Sequence, residues 1–318
     1  MPVFGGGDPL SVGTSLSSAG VLDPSIAEDV SDIIYQITPE DTPVYNSIGE
    51  GRVQSSWHLW QTRSIAGRAR NANFEGFTYA FTGAMVYPDA RRFNATQIFN
   101  KNIRVSETEV ATRHYAIDDA FADQMSIGMT EGKMDAEHTV IQGTLVSGAT
   151  NLARQMQGLL QALISGITTY TNVTAAASMS ETIFNDYLQT SWNYGGEPRD
   201  VYCGGYIKRK ISGFTGGATK FVATPDEKIV NTVSVYQSDF FNVQVHLSRD
   251  IPRQGTPSGY TGYGILFLDK TMAKKMWLRP WVAERAPKTA DAYDGVVKCE
   301  FTLEWGNALA HHYAAQHL

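Results

Sequence analysis

KCEFTLEW, residues 298–305, sets Cys299, Phe301, Leu303 and Trp305 on one side of an extended chain and Lys298, Glu300, Thr302 and Glu304 on the other. A period of two with one apolar face predicts a long, half-buried strand near the C-terminus. The same alternation occurs far upstream between Arg52 and Thr62, where Val53, Trp57 and Leu59 interleave with Gln54, Ser56 and His58. A return strand is expected around Thr96–Thr108. Matching patterns so far apart predict one sheet built jointly by N- and C-terminal segments, with 180–278 inserted between them.

That insertion has its own α+β signature. Glu181–Trp192 reads as a helix capped by Ser180, and DVYCGGYIKRKISGF as a strand turning into a second helix. Val233–Tyr236 is followed by Phe241, Val243, Val245 and Leu247, which alternate with polar residues as in a strand with one wet face; Asp239 falls in the connecting turn. The run GILFLD at 264–269 is continuously apolar enough to be a central strand, and KTMAKKMWL follows it.

Between the two halves, Met134, His138, Ile141, Leu145, Leu152, Met156, Leu159 and Leu163 recur in steps of three, four and seven and predict a helix from about Gly132 to Ile167. A continuous helix of that length would run roughly 50 Å, with Gly143, Gly148 and Gly158 as weak points. Residues 63–95 are polar, dotted with glycine and poor in periodic apolar content, and read as a long protruding hairpin. A coreless loop of that length calls for a partner surface. Its Arg63, Arg68, Arg70, Arg91 and Arg92 therefore read as contacts to a neighbour's carboxylates in preference to solvated charges or nucleic-acid contacts. Residues 1–25 are rich in Gly, Ser and Pro and predict an extended or disordered arm. The stretch Ile26 to Ile48, with Ile33, Ile34 and Ile37, reads as a short apolar helix stopped by Pro39 and Pro43, suited to clamping onto a neighbour.

Composition narrows the function classes. A charged fraction of 18% in 318 residues is low for a globular protein and suggests surface given over to other protein. The net charge of −6 argues against the broad basic field of a non-specific nucleic-acid binder. Cys203 and Cys299 sit in apolar, strand-like stretches and read as buried free thiols. The start MPVFGGGDPL lacks the basic and apolar regions of a signal peptide, and no run is long enough to span a bilayer, so a soluble protein made in a reducing cytoplasm is expected.

Catalytic and cofactor motifs are absent. The glycines of YCGGY and FTGGAT do not present successive N–H groups to a phosphate as a nucleotide loop does, and there is no GxSxG, HExxH or CxxC. His311, His312 and His317 lack accompanying carboxylates or thiols and read as a polar C-terminal tail in place of a metal site. No cofactor, metal or catalytic residue is assigned. An enzyme whose site is dispersed in sequence remains the alternative from a different class.

Several stretches in order, ITPEDTPVYNSIG, SETEVAT, DVYCGGYIKRKISGF, VQVHLSRDIP, GILFLDKTMAKKMWLRPWVAERAPKTADA and EFTLEWGNALAHHYA, resemble the major capsid proteins of tailed bacteriophages over most of the chain. The resemblance implies the phage major capsid fold of the Hong Kong 97 type. Its parts would be an N-terminal arm at 1–50, an extended loop with peripheral-domain strands at 51–105 and a peripheral domain with a spine helix at 106–179. An axial domain at 180–278 and C-terminal peripheral strands at 279–318 would follow. It also implies a homo-oligomer of hexamers and pentamers in an icosahedral shell around double-stranded DNA, with a portal protein and a cement or scaffolding protein as further partners, assembled in the host cytoplasm and retained in the virion. No membrane is involved. An encapsulin-like nanocompartment shares the implied fold and is the nearer alternative.

Overall fold

The structure, a computed structural model, describes residues 41–63, 65, 68, 70–78, 89–114, 117–164, 170–172, 179–214, 235–253, 262–288 and 290–317. In chain order the elements are α1 (Pro43–Ser47), β1 (Gly49–Arg52), β2 (Trp57–Arg63), β3 (Asp89–Ala95), β4 (Gln97–Ser106), α2 (Glu107–Ala111) and α3 (Ala120–Gln142). The chain continues through α4 (Leu159–Ile164), β5 (Tyr170–Asn172), α5 (Glu181–Asn193), β6 (Asp200–Cys203), α6 (Gly205–Ser212), β7 (Val235–Gln237) and β8 (Asn242–Leu247). It closes with β9 (Tyr263–Leu268), β10 (Lys274–Arg285), β11 (Ala292–Glu304) and β12 (His312–His317).

Three sheets organise these elements: a four-stranded sheet in the order β1-β10-β11-β4, a six-stranded sheet in the order β5-β12-β9-β6-β8-β7, and the ribbon β2-β3. The predicted C-terminal strand is β11, thirteen residues long and central in its sheet, paired antiparallel to both β10 and β4. N- and C-terminal segments do share this sheet, but the upstream contributors are Gly49–Arg52 and Gln97–Ser106, not Trp57–Thr62. The expected strand at 52–62 is interrupted at 53–56, and its second half leaves to pair with β3. Its buried face is also the opposite one. Trp60 packs inward against Trp305, which turns Leu59 out to 55% exposure; a one-residue change of face exchanges the two sides of a strand.

The six-stranded sheet is buried on both faces, and this is why its central strands are apolar throughout. Tyr202, Leu266, Leu268, Tyr313 and Ala315 enter a core shared with α1, α3, α4 and β11. Their neighbours Val201, Cys203, Ile265, Phe267 and Ala314 enter a second core beneath α5 and α6. Helix α5 starts as expected, with the Ser180 hydroxyl accepting from Ile183 N. The sheet also takes in β5 and β12 from outside 180–278, and β10 runs across residue 278. His311 and His312 are therefore fully buried at the start of an inner strand and do not form a polar tail. Both thiols are buried and unpaired with each other.

The long helix differs most from expectation. It begins earlier, capped by Asp119, whose carboxylate accepts from Phe121 N and Ala122 N, and it ends at Gly143 after 23 residues, roughly 35 Å. Residues 143–158 then form a non-helical excursion that closes with Gly158 N donating to Gly143 O at 2.9 Å. A Cβ at Gly158 would lie 2.5 Å from Gly143 N, and one at Gly143 would lie 2.8 Å from Met156 O. The helical spacing of apolar residues resumes in α4, but two glycine backbones in contact have broken the helix between them. The inward face of α3 is also shifted: Gly132, Ala136, Val140 and Ile141 are buried, whereas His138 is exposed.

Candidate functional site

The base of the ribbon β2-β3 is fixed by contacts that the sequence did not announce. Trp60 Nε1–H donates to Gly306 O at 2.8 Å, and its ring meets Trp305 edge-on with centroids 4.7 Å apart. His58 Nε2 lies 2.7 Å from Glu304 Oε2 and stacks on Trp60. Asn94, fully buried, donates to Leu303 O and Gln157 O and accepts from Gln157 N. These bonds join the ribbon to β11 and to the excursion after α3 in a single joint.

A buried ion network lies alongside. Glu300 accepts from Thr96 Oγ1 at 2.7 Å and pairs with Arg154 and Arg279, each at 2.7 Å. Arg154 also donates to Thr96 O. Glu300 is the member the network depends on: its removal leaves Arg154, 27% exposed, without a counter-charge, whereas loss of the half-exposed Arg279 leaves Glu300 paired with Arg154.

Beyond its base the ribbon turns one face to solvent. Leu59 and Phe93 are directly paired across the strands, Phe93 is 49% exposed, and Trp57 packs its ring 5.7 Å from that of Phe93. Arg63, Arg91 and Arg92 continue the ribbon and are exposed, as are Arg68 and Arg70 farther along. Arg91 and Arg92 make no ion pair among the described residues. Ile33, Ile34 and Ile37 lie outside the described residues. Thus the structure brings three of the eight expected contact residues together on one ribbon beside an exposed apolar pair. Leu59 and Phe93 are exposed apolar residues that the sequence did not single out: Leu59 reads there as part of the inward face of a strand, and Phe93 falls in the stretch 63–95 that reads as a polar hairpin. Among the described residues no third strand pairs with the ribbon, and a two-stranded ribbon with an exposed apolar pair is poorly stabilised by itself.

A second joint ties the segment before the ribbon to α3. Glu137 is completely buried and accepts from Val44 N at 3.1 Å and Tyr45 N at 2.5 Å. Burial pushes its carboxyl up to about 7, against the opposing pull of the two N–H groups. Lys275 lies over the Tyr45 ring at 4.0 Å, and Trp281 donates to the Tyr45 hydroxyl. The neighbouring His138 reaches Asp250 at 3.2 Å, which raises its pKa.

Elsewhere, the chemistry is internal. His311 accepts from Asp269 N and donates to Trp305 O, so both ring nitrogens are committed and burial lowers its pKa. Burial raises the Cys203 thiol to about 12, which leaves it unreactive. A cleft of about 650 Å³ is lined by Arg199, Asp200 and Lys270, whose cations pair with Glu197 and Asp200. Among the described residues no three His, Cys, Asp or Glu side chains converge as metal ligands, and no helix is long and apolar enough to cross a membrane.

Comparison with known proteins bears on this architecture. The family model described as SU10 major capsid protein matches residues 9–316. The major capsid protein of Escherichia phage Phieco32 is 32% identical over 111 residues; the alignment spans 35% of this chain and only 31% of that relative. Among solved structures, the capsid of a native GTA particle superposes with a TM-score of 0.64 at 10% identity, covering 98% of this chain and all of that one. A structure from Gordonia phage Cozz gives 0.62 at 11% identity over 92% and 91% of the two chains. The SrpI encapsulin of Synechococcus elongatus PCC 7942 gives 0.58 at 12% identity over 91% and 92%. The fold is the mixed helix-and-strand fold of Hong Kong-type phage capsids.

Proposed function

The chain belongs to the SU10 major capsid protein family, and from that premise we propose that it is the major capsid protein of a tailed bacteriophage, assembling as hexamers and pentamers into the icosahedral head. The observation that carries this reading is the family match over residues 9–316. A ribbon rooted by Trp60 and Asn94, with no third strand paired to it among the described residues, supports this reading as a part that lies on another subunit. Under closed symmetry, the same patch recurs on every copy and many modest contacts add up.

In this reading, residues 1–50 are the N-terminal arm, the ribbon belongs to the extended loop, α3 is the spine helix within the peripheral domain, and the six-stranded sheet with α5 and α6 forms most of the axial domain. Arg63, Arg68, Arg70, Arg91 and Arg92, with Ile33, Ile34 and Ile37 of the arm, contact neighbouring subunits. The shell encloses double-stranded DNA, joins a portal protein and a cement or scaffolding protein, is built in the host cytoplasm, and does no catalysis. A nanocompartment shell shares the fold, but the encapsulin likeness is one of fold alone, whereas the family model and the curated relative are both phage capsid proteins.

The test is expression of the full chain, alone and with neighbouring phage genes, followed by negative-stain microscopy and light scattering. Closed shells or ring-shaped capsomers are the expected products. A stable monomer under all these conditions overturns the reading.

A further inference from the structure

Charge is distributed unevenly along this chain. Its first 40 residues hold six carboxylates, at Asp8, Asp23, Glu28, Asp29, Asp32 and Glu40, and no lysine or arginine. They therefore account for the whole net charge of −6 and leave residues 41–318 with equal numbers of the two signs. The acids are densest at Glu28, Asp29 and Asp32, immediately before Ile33, Ile34 and Ile37. On the helix expected there, Asp29, Asp32 and Ile33 stand at i, i+3 and i+4 and share a face, so that two carboxylates border an apolar edge.

A groove of about 470 Å³ has the complementary chemistry. Arg249 and Arg253 line it, and Asp41 is the only carboxylate among its described lining residues. Asp41 reaches Arg249 at 3.6 Å with both side chains about two-thirds exposed, a wet pair that a better-placed carboxylate can displace. The apolar part of the wall is Leu247, 55% exposed at the end of β8, together with the stacked rings of Tyr206 and Tyr263, 4.4 Å apart. Lys210 reaches over the Tyr206 ring at 5.3 Å and brings a third cation to the rim.

We infer that the stretch Glu28–Ile37 of one subunit docks in the Arg249/Arg253 groove of a second copy of this chain, Asp29 and Asp32 pairing with the two arginines while Ile33 and Ile37 pack on Leu247 and the stacked tyrosines. The inference rests on the capsid reading above and names the receiving site for its N-terminal arm. Charge complementarity selects the occupant, since the arm's carboxylates have no lysine or arginine within their own 40 residues to neutralise them. Sequence spacing favours a second copy over the chain's own arm. Pro39 and Pro43 bias Thr38 and Thr42 toward extended conformations, and an extended four-residue spacer carries Ile37 roughly 13 Å from Asp41 at the groove wall. Arginine–carboxylate pairs beside apolar anchors are contacts that concentrate binding energy at protein interfaces.

The experiment reverses the charges on each side and then on both. In the full chain, Asp29→Lys with Asp32→Lys, and separately Arg249→Glu with Arg253→Glu, are each expected to lower the yield of assembled shells by about tenfold or more, because the contact recurs on every subunit; combining the two sets should recover most of the yield. Arg249 and Arg253 are exposed, so the groove variant should melt as the wild type does. A cross-link supplies an independent readout: Ile33→Cys with Leu247→Cys should give a ladder of disulfide-linked subunits from oxidised shells on non-reducing gels, with the buried Cys203 and Cys299 taking no part. A disulfide formed only within single chains overturns the assignment to a second copy. Groove reversals that assemble normally but package no DNA overturn the inference by assigning the groove to nucleic acid. Normally assembling reversals without a ladder overturn it and leave the capsid reading intact, whereas a wild-type chain that never assembles overturns both.

Discussion

Trp60 meets Trp305 edge-on, centroids 4.7 Å apart and planes at 89°, while its indole N–H donates to Gly306 O. This contact joins the ribbon to the segment just after β11, beside the bonds of His58 and Asn94 to the same region. Trp60→Ala should cost about 3 kcal/mol or more through the cavity and the stranded carbonyl. Trp60→Phe should lose about 1 kcal/mol, chiefly the hydrogen bond. Denaturant unfolding of the monomer measures both; equal losses would mean that the ring packing contributes nothing beyond the hydrogen bond.

Glu300 holds Arg154, Arg279 and Thr96 together. Glu300→Ala should destabilise the fold by roughly 3–5 kcal/mol, because Arg154 is left half-buried without a counter-charge. Removing Arg154 as well should cost less than the sum of the two single losses, and a double-mutant cycle reads that coupling.

Glu137 predicts how stability responds to pH. Its folded-state pKa, raised to about 7, lies above its unfolded value, so the folded chain binds the extra proton. The resulting stabilisation is complete below about pH 4.5 and is lost as pH rises through about 7, on the order of 3 kcal/mol in all. His138, whose pKa is raised by Asp250, adds to the same slope at its upper end. Urea midpoints measured across this range should fall with rising pH in the wild type and flatten in Glu137→Gln. An unchanged slope in the variant would remove Glu137 as its source.

Leu59 and Phe93 face solvent across the ribbon. Replacing both with lysine should change monomer stability by about 1 kcal/mol or less while preventing assembly, since charge is placed where an apolar contact would form. Sedimentation of the assembled fraction against the monomer melting curve separates the two effects.

Gly158 has no room for a side chain beside Gly143 and Thr139 O. Gly158→Ala should therefore destabilise by roughly 1–3 kcal/mol and speed hydrogen exchange in the last turn of α3. Protection equal to wild type there would show that the two backbones can separate at little cost.

Local chemistry in the sequence determined much of this protein. The alternation of Cys299, Phe301, Leu303 and Trp305 specified a strand with a buried face. Ser180 specified where a helix begins, and the unbroken GILFLD run specified a strand covered on both sides. These signals lie within a few residues of what they describe, because strand pleating, end-capping and two-sided burial are local requirements. Long-range contact decided the rest. Trp60 and Leu59 offer a strand two apolar faces of similar appeal, and only Trp305, more than two hundred residues away, selects which one turns inward. The steps from Met134 to Leu163 read as a single helix until Gly143 and Gly158 touch. His311 and His312 read as a tail until neighbouring strands enclose them. Periodicity reports which residues share a face; only the packed chain determines what that face meets.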